Sequence, residues 1–411
     1  MIESEAICRS CGAGALSPIL SLGATPLANA LLSEEQLAEP EATYPLDLVL
    51  CATCSLVQIT ETVPAEQLFG EYLYFSSFSD TMLRHACTLA TRMVAERHLG
   101  ASHRVVEIAS NDGYLLQYYK RAGIEVLGIE PARNIARVAE EKGIATVCDF
   151  FGEQLAVRLA AEGKRADIIH AHNVLAHVSD LNGVVKGIVA MLVPTGVAIL
   201  EVPYIKDLVD RTEFDTIYHE HLCYFSLTAL DTLFRRHGLV IWNVESVSIH
   251  GGTLRVFASP QGSRERVTPA VTKMLADEAK WGVKAPSSYR AFSDNVKGIR
   301  QKLRAALQEL KEGGHSVAAY GASAKGSTLL NYSGIGAETL DFVVDRSTVK
   351  QGRFTPGTHL PIYPVTRLLE AMPDYVLLLT WNFADEILEQ QAAYRAKGGR
   401  FVIPIPDVRF I

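Results

Sequence analysis

Val105-Val106-Glu107-Ile108-Ala109-Ser110-Asn111-Asp112-Gly113 runs from β-branched apolar residues through a closing acid into a short polar turn. Residues 104–110 read as a strand, and 114–122 as the helix that follows it. The exchange repeats outward: strands at 124–130, 144–149, 166–172 and 196–202 alternate with helices at 133–142, 153–162 and 181–192. Such alternation predicts a doubly wound α/β sheet. After a helix at 228–237, the runs 239–248 and 253–258 lie close enough in sequence to pair antiparallel. Seven strands ending in an antiparallel hairpin are therefore expected.

Ligands of open α/β sheets bind outside the carboxyl ends of the strands, so the strand ends carry the first candidate residues. Glu107, Asn111, Asp112 and Gly113 form the first end, and Glu130, in Gly128-Ile129-Glu130-Pro131, forms the second. An acid at the second end is placed to accept hydrogen bonds from both hydroxyls of a ribose. At the third end Asp149 suits an adenine amino group and Phe150 its face; at the fourth, His172 and Asn173 suit the amino-acid part of a cofactor. Glu130 alone does not separate a dinucleotide from S-adenosylmethionine. The turn does, because a pyrophosphate needs Gly-x-Gly-x-x-Gly at a helix start, whereas 109–113 has one glycine and an Asp that repels phosphate. S-adenosylmethionine, which has no phosphate, fits better. The plainer reading makes Glu107 and Asp112 turn or cap residues.

Upstream, Cys8, Cys11, Cys51 and Cys54 form two Cys-x-x-Cys pairs in a Gly- and Pro-rich segment with few long apolar runs. Four thiolates around one tetrahedral Zn²⁺ leave no position for substrate, so a structural zinc is expected, supplying the stability that a thin core does not. A redox dithiol is the rival, but neither pair sits between a strand and helix of a βαβ unit. The division expected is 1–66 for the metal unit, 67–246 for the cofactor unit and 247–411 for a carboxyl-terminal unit.

The 411 residues are enough for two or three compact units, and 48% hydrophobic with 21% charged residues is ordinary globular composition. A net charge of −7 without a basic run disfavours a nucleic-acid partner. The acidic start has no apolar region behind it, and the stretch 184–202 is broken by Lys186, Pro194 and Gly196. That stretch suits a buried helix and a core strand, not a membrane span. A cytoplasmic protein, monomeric by default, is expected.

Asp215-Thr216-Ile217-Tyr218-His219-Glu220-His221-Leu222-Cys223-Tyr224-Phe225-Ser226 is dense in groups that move protons. With the paired cysteines, the Glu-Ile-x-x-Asn-Asp-Gly turn and the distal Tyr320-Gly321-Ala322-Ser323-Ala324-Lys325-Gly326, it resembles, over essentially the whole chain, the sugar C-methyltransferases that act on dTDP-linked 4-keto-deoxyhexoses in antibiotic and polysaccharide pathways. The resemblance implies a zinc-binding amino-terminal domain, a Rossmann-like S-adenosylmethionine domain and a carboxyl-terminal α/β domain that helps hold the nucleotide-linked keto-deoxysugar. It implies His221 as general base, with Tyr218 and Glu220 beside it, and Tyr74 and His177 as further active-site residues. Carbon becomes a nucleophile only once a proton beside a ketone is removed, and imidazole suits that step. A zinc pair at His219 and His221 is the rival, without a third ligand or His-Glu-x-x-His spacing.

Two positions depart from the family pattern: Ala109 stands where Gly is frequent, and Phe78 stands where a smaller residue is common near the substrate entrance. Downstream, 289–312 reads as an amphipathic helix, and the runs 316–321, 328–332, 340–345, 375–380 and 400–405 as a second α/β unit. Its loop at 320–327 suits an anion such as a diphosphate, with Lys325 and Ser323, or else mere tight strand-to-helix packing. Asn331, Lys350 and His359 match family segments and join these as substrate candidates. The alternative readings are an O- or N-methyltransferase on another sugar or small metabolite, and a zinc-dependent assembly protein that kept the fold.

Overall fold

The computed structural model describes residues 6–64, 68, 75–249 and 251–411. Strands β1 (Leu16–Thr25), β2 (Tyr44–Cys51) and β3 (Val57–Ile59) pair antiparallel around the cysteine knuckles. The segment expected to be loop-rich therefore carries a sheet, corrected by alternation in β2, where Leu46, Leu48 and Leu50 turn to the core.

The central sheet contains β4 (Arg104–Ile108), β5 (Glu125–Ile129), β6 (Thr146–Val147), β7 (Ala166–His172) and β8 (Leu192–Pro203), all parallel. Val197 to Leu200 and Val202 in β8 are buried, the continuous apolar run of a strand covered on both faces. Helices Leu116–Arg121, Arg133–Glu141, Glu153–Ala161 and Leu181–Met191 lie where the alternation puts them; Asp180 Oδ1 caps the last, accepting from Gly183 N at 2.8 Å.

Beyond β8 the chain makes β9 (Cys223–Tyr224), then β10 (Leu239–Val247) and β11 (Thr253–Pro260), the two halves of the antiparallel hairpin. The central order is β10-β11-β8-β7-β4-β5-β6, with β11 antiparallel to β8. This is the class I methyltransferase sheet, and it runs past the boundary expected at residue 246. Strand β9 leaves it altogether: Val57 pairs with Tyr224 and Gln58 with Cys223, so β9 is the fourth strand of the amino-terminal sheet.

The carboxyl-terminal sheet has the order β14-β13-β12-β15-β16-β17, formed by β12 (Val317–Tyr320), β13 (Val343–Val344), β14 (Ile362–Tyr363), β15 (Tyr375–Leu378), β16 (Arg400–Ile403) and β17 (Arg409–Phe410). Residues 328–332 lie in its first helix, Ala324–Ser333, started by Ser323, whose hydroxyl accepts from Gly326 N. The amphipathic helix Arg290–Glu312 buries Phe292, Val296, Ile299, Leu303 and Leu307. Among the described residues no helix is long and apolar enough to cross a membrane.

Candidate active site

The turn after β4 bends sharply, with φ of 51° at Ala109, 49° at Asn111 and 78° at Gly113. Ala109 holds a left-handed conformation that a glycine would take without strain, so the departure adds a methyl group at a cost of about 1 kcal/mol. Glu130 ties this turn to the second strand end: its Oε2 accepts from Asn111 N and its Oε1 from Ala132 N, both at 2.9 Å. Asn111 Oδ1 in turn accepts from Ser76 N at 2.9 Å. Asp112 meets the Ser77 hydroxyl and the Lys142 ammonium, the latter at 2.7 Å.

Several buried acceptors at these ends have no donor among the described residues: Glu107 Oε2, Asp112 Oδ1, Ser110 Oγ and Asn173 Oδ1. Glu107 is 1% exposed. Burial, with Glu130 and Asp112 close by, pushes its carboxyl well above the usual range. A buried acceptor without a donor costs about 1–3 kcal/mol, so the pocket suits a ligand rich in donors and carrying positive charge. The ammonium and ribose hydroxyls of S-adenosylmethionine have that chemistry. Asp149 lies on the rim, 3.5 Å from Arg158 Nη2, and Phe150 beside it is 46% exposed, a free ring face at the third strand end. Phe78, 82% exposed, stacks on Phe75 at 5.1 Å between ring centres.

His172 lies buried at the end of β7, on the same face of the sheet as Glu107, whose strand partner is His170. Its Nε2 lies 3.1 Å from His170 Nδ1 and its Nδ1 3.8 Å from Glu201 Oε2, and burial lowers its pKa to about 4. Glu201 also receives Arg255 Nε at 2.7 Å and His85 Nε2 at 2.9 Å. His172 thus belongs to a buried charged chain between β7, β8 and β11.

The proton-moving cluster follows the short 3-10 turn Phe214–Thr216. His221 Nδ1 lies 2.8 Å from the Thr216 carbonyl oxygen, and its Nε2 3.0 Å from the Tyr218 hydroxyl. A carbonyl only accepts, so Nδ1 carries the proton and Nε2 keeps its lone pair, toward which Tyr218 donates. His177 meets His221 edge-on, 4.8 Å between ring centres, and burial lowers its pKa to about 4. Glu220 is 6% exposed; burial raises its carboxyl, and Asn29 Nδ2 opposes this by donating to its Oε1 at 2.6 Å. His219 points elsewhere, its Nε2 3.1 Å from Pro45 O, so the two histidines do not converge on a metal. Tyr74 lies outside the described residues.

Among the described residues, the group able to hold a metal ion is Cys8, Cys11, Cys51 and Cys54, whose sulfurs all lie within 4.8 Å of one another. Cys8 to Cys54 is 3.4 Å and Cys11 to Cys51 is 3.5 Å. Four thiolates at 2.3 Å from a tetrahedral zinc stand about 3.8 Å apart, so the donor set fits zinc. The second knuckle opens directly into β3, and β3 grips the residues after His221: Ile59 N donates to Leu222 O at 3.1 Å. Leu222 N donates to Ala176 O at 2.7 Å, which ties this strand to the turn holding His177.

The carboxyl-terminal candidates lie on the helix Ala324–Ser333, with Ser323 at its start, and in the two segments that carry Lys350 and His359. Lys325 Nζ lies 3.6 Å from Asp215 Oδ1 and 4.4 Å from the centre of the Trp381 ring. Ser323 caps its helix, and Lys350 Nζ donates to Ala322 O at 2.7 Å. Asn331 Nδ2 reaches Ser327 O at 2.8 Å and Pro356 O at 3.1 Å, and His359 Nε2 lies 2.6 Å from Glu41 Oε1. A Cβ at Gly321 would strike Thr380 and one at Gly326 would strike Leu379, so these glycines serve close strand-to-helix packing. The sequence reading did not single out Asn29 or Glu41; Asn29 stands in an apolar stretch and Glu41 among several glutamates, with no local pattern to mark either.

Three family models match in order along the chain: "Putative zinc binding domain" over residues 8–69, "Methyltransferase domain" over 79–244 and "C-methyltransferase C-terminal domain" over 248–406. The C-methyltransferase NovU of Streptomyces niveus is 38% identical over 404 residues, which covers 98% of this chain and 96% of that protein. Among solved structures, the magnesium protoporphyrin IX methyltransferase of Synechocystis PCC 6803 with bound SAM aligns at 12% identity and a TM-score of 0.35, covering 48% of this chain and 89% of that one. The PH0226 protein of Pyrococcus horikoshii OT3 aligns at 16% and 0.38, covering 49% and 100%. A relative matched along nearly its whole length, and domain models in the same order, establish that this chain belongs to the S-adenosylmethionine-dependent C-methyltransferase family.

Proposed function

We propose that the acceptor is a nucleotide-linked 4-keto-deoxyhexose, of the dTDP type, and that the methyl group goes to the carbon beside the ketone, C3. The observation that carries this reading is the state of His221: Nδ1 donates to a backbone carbonyl and Nε2 keeps its lone pair at the Tyr218 hydroxyl. An oxygen or nitrogen acceptor has a lone pair of its own, whereas a carbon beside a ketone needs a base.

His221 Nε2 takes the proton from that carbon, the C–H electron pair moves into the ring, and the negative charge collects on the ketone oxygen. Tyr218, and His177, neutral near pH 7, are the groups assigned to hydrogen-bond that oxygen. When bound, S-adenosylmethionine would supply an electrophilic methyl to the enolate carbon, the methyl–sulfur bond breaking with its electron pair left on sulfur as a neutral thioether while the ketone re-forms. Glu107, Asn111, Asp112, Gly113, Glu130, Asp149, Phe150, His172 and Asn173 are assigned to the cofactor. Tyr74 keeps its assignment to the acceptor. Ser323, Asn331, Lys350 and His359 shape loops of the carboxyl-terminal sheet to which we assign the nucleotide. The cysteines are assigned one structural zinc, in a division of metal, cofactor and acceptor units near 1–66, 67–260 and 261–411, the boundary expected at 246 being moved past β11.

The test incubates the zinc-loaded protein with S-adenosylmethionine and dTDP-, CDP- and GDP-linked 4-keto-6-deoxyhexoses in D₂O and follows product mass. Gain of one methyl group, lost by roughly 10²- to 10⁴-fold in His221→Ala while cofactor binding persists, is the expected outcome. Cofactor binding without deuterium uptake or methylation of any keto sugar would refute the acceptor assignment.

A further inference from the structure

We propose that Lys325 and Trp381 of the carboxyl-terminal unit are positioning residues for His221, acting through Asp215 and the Thr216 carbonyl. The Asp215 side chain is fully buried, in the 3-10 turn that leads into the cluster. Its Oδ2 accepts the Trp381 indole N–H at 2.6 Å, and its Oδ1 faces the Lys325 ammonium at 3.6 Å. The ammonium also lies over the Trp381 ring, 4.4 Å from its centre. The three groups close on one another, so the lysine expected to meet an anion is already engaged by a buried carboxylate and a π face.

What this clasp holds is the carbonyl that sets the base. Asp215 is directly followed by Thr216, whose oxygen receives His221 Nδ1 at 2.8 Å and the Tyr224 hydroxyl at 3.4 Å. On the other side of Thr216, the Ile217 carbonyl accepts from Thr328 Oγ1 at 3.2 Å. Thr328 and Lys325 share the helix Ala324–Ser333. One helix therefore pins residues 215 and 217 and leaves the carbonyl between them in a single orientation. Rotation of that carbonyl would free Nδ1, admit the other tautomer and place a proton on the nitrogen that must accept one. Burial raises the Asp215 carboxyl, and Lys325 and Trp381 offset this, so loss of either loosens the clasp from the same side.

The inference rests on His221 being the base, and its test separates the two. Lys325→Met keeps the stem and removes the charge; Lys325→Arg restores a cation. For a positioning residue, kcat falls roughly 10- to 100-fold in Lys325→Met, KM for the keto sugar stays within about two-fold, and Lys325→Arg recovers most of the rate. A raised KM at unchanged kcat would mean that Lys325 anchors the acceptor's anion, and would overturn the proposal. The second readout needs no acceptor: ¹⁵N side-chain spectra of the full zinc-loaded chain with S-adenosylhomocysteine, the His221 signals being assigned by their loss in His221→Asn. The wild type is expected to show the Nδ1-protonated ring and Lys325→Met a mixture; an unchanged ring would overturn the proposal even if no sugar in the panel is methylated. Trp381→Phe, which loses only the indole N–H, is read by the same two criteria should Lys325→Met not fold.

Discussion

Asn29, in the loop after β1, donates through Nδ2 to Oε1 of Glu220 at 2.6 Å, across 191 residues of sequence. The cysteine-bearing unit thereby reaches the acid beside His221, the assigned base. Burial raises the Glu220 carboxyl, and this donor favours its ionised form. Asn29→Ala removes the donor, so Glu220 titrates at higher pH and the acidic limb of the rate profile moves upward, by about one pH unit. At neutral pH we expect a loss of roughly 3- to 30-fold in kcat, with cofactor affinity unchanged by calorimetry. A profile superimposable on wild type would show that the contact does not govern Glu220.

The cysteine cluster and the segment assigned the base share a sheet through the pairing of β3 with β9. Elemental analysis is expected to find zinc in the wild type and none in Cys54→Ser, whose unfolding midpoint should be lower by more than about 5 °C. Methyl transfer should fall further than cofactor binding, because the segment carrying Tyr218, Glu220 and His221 loses its supporting strand first. Full zinc content in this variant, or cofactor binding lost in parallel with activity, would contradict that order.

Glu130 is the acceptor for two backbone N–H groups and the assigned partner of the ribose. Glu130→Ala should weaken S-adenosylmethionine binding by about 10- to 100-fold, equivalent to about 1.4–2.8 kcal/mol. The rate at saturating cofactor should stay within a few-fold of wild type. Titration calorimetry measures the first quantity and initial rates the second; an unchanged dissociation constant would remove Glu130 from the cofactor site.

Glu213 sits beside the clasp, facing Lys325, Asp215, Arg211 and Asp207, and burial pushes its carboxyl from 4.5 up to about 7. A raised carboxyl means that the folded state holds more protons than the unfolded one between those two values. Its stabilising contribution is thus complete below about pH 4.5 and is lost as pH rises through about 7, with a slope on the order of 1 kcal/mol per pH unit. Glu213→Gln should gain on wild type in thermal unfolding as pH rises across that window and run parallel above it. A constant difference between the two would show that Glu213 does not carry the titration.

The central sheet was legible because its signals are local. Runs such as Val105–Ile108 and Ile168–Ala171, each closed by a polar turn, set strand and ligand edge together, so Glu107, Glu130 and Asp149 could be assigned to strand ends from order alone. The cysteine pairs and the Tyr-His-Glu-His run announced their chemistry by residue type and spacing. The contacts that assemble the site had no such signature. Strand β9 is two residues long and pairs with β3 from far away in sequence, so no periodicity marks it. His172 read as a residue of the fourth strand end, and the partner it meets there, Glu201 of the neighbouring strand, had no mark in the sequence. Lys325 read as an anion ligand because a cation in a small-residue loop has that meaning locally, but a buried Asp215 from another domain was nearer. Side-chain partners across domains follow from which surfaces become neighbours on folding. A burial pattern specifies that a face is covered; the partner covering it is chosen by the packing of the whole chain.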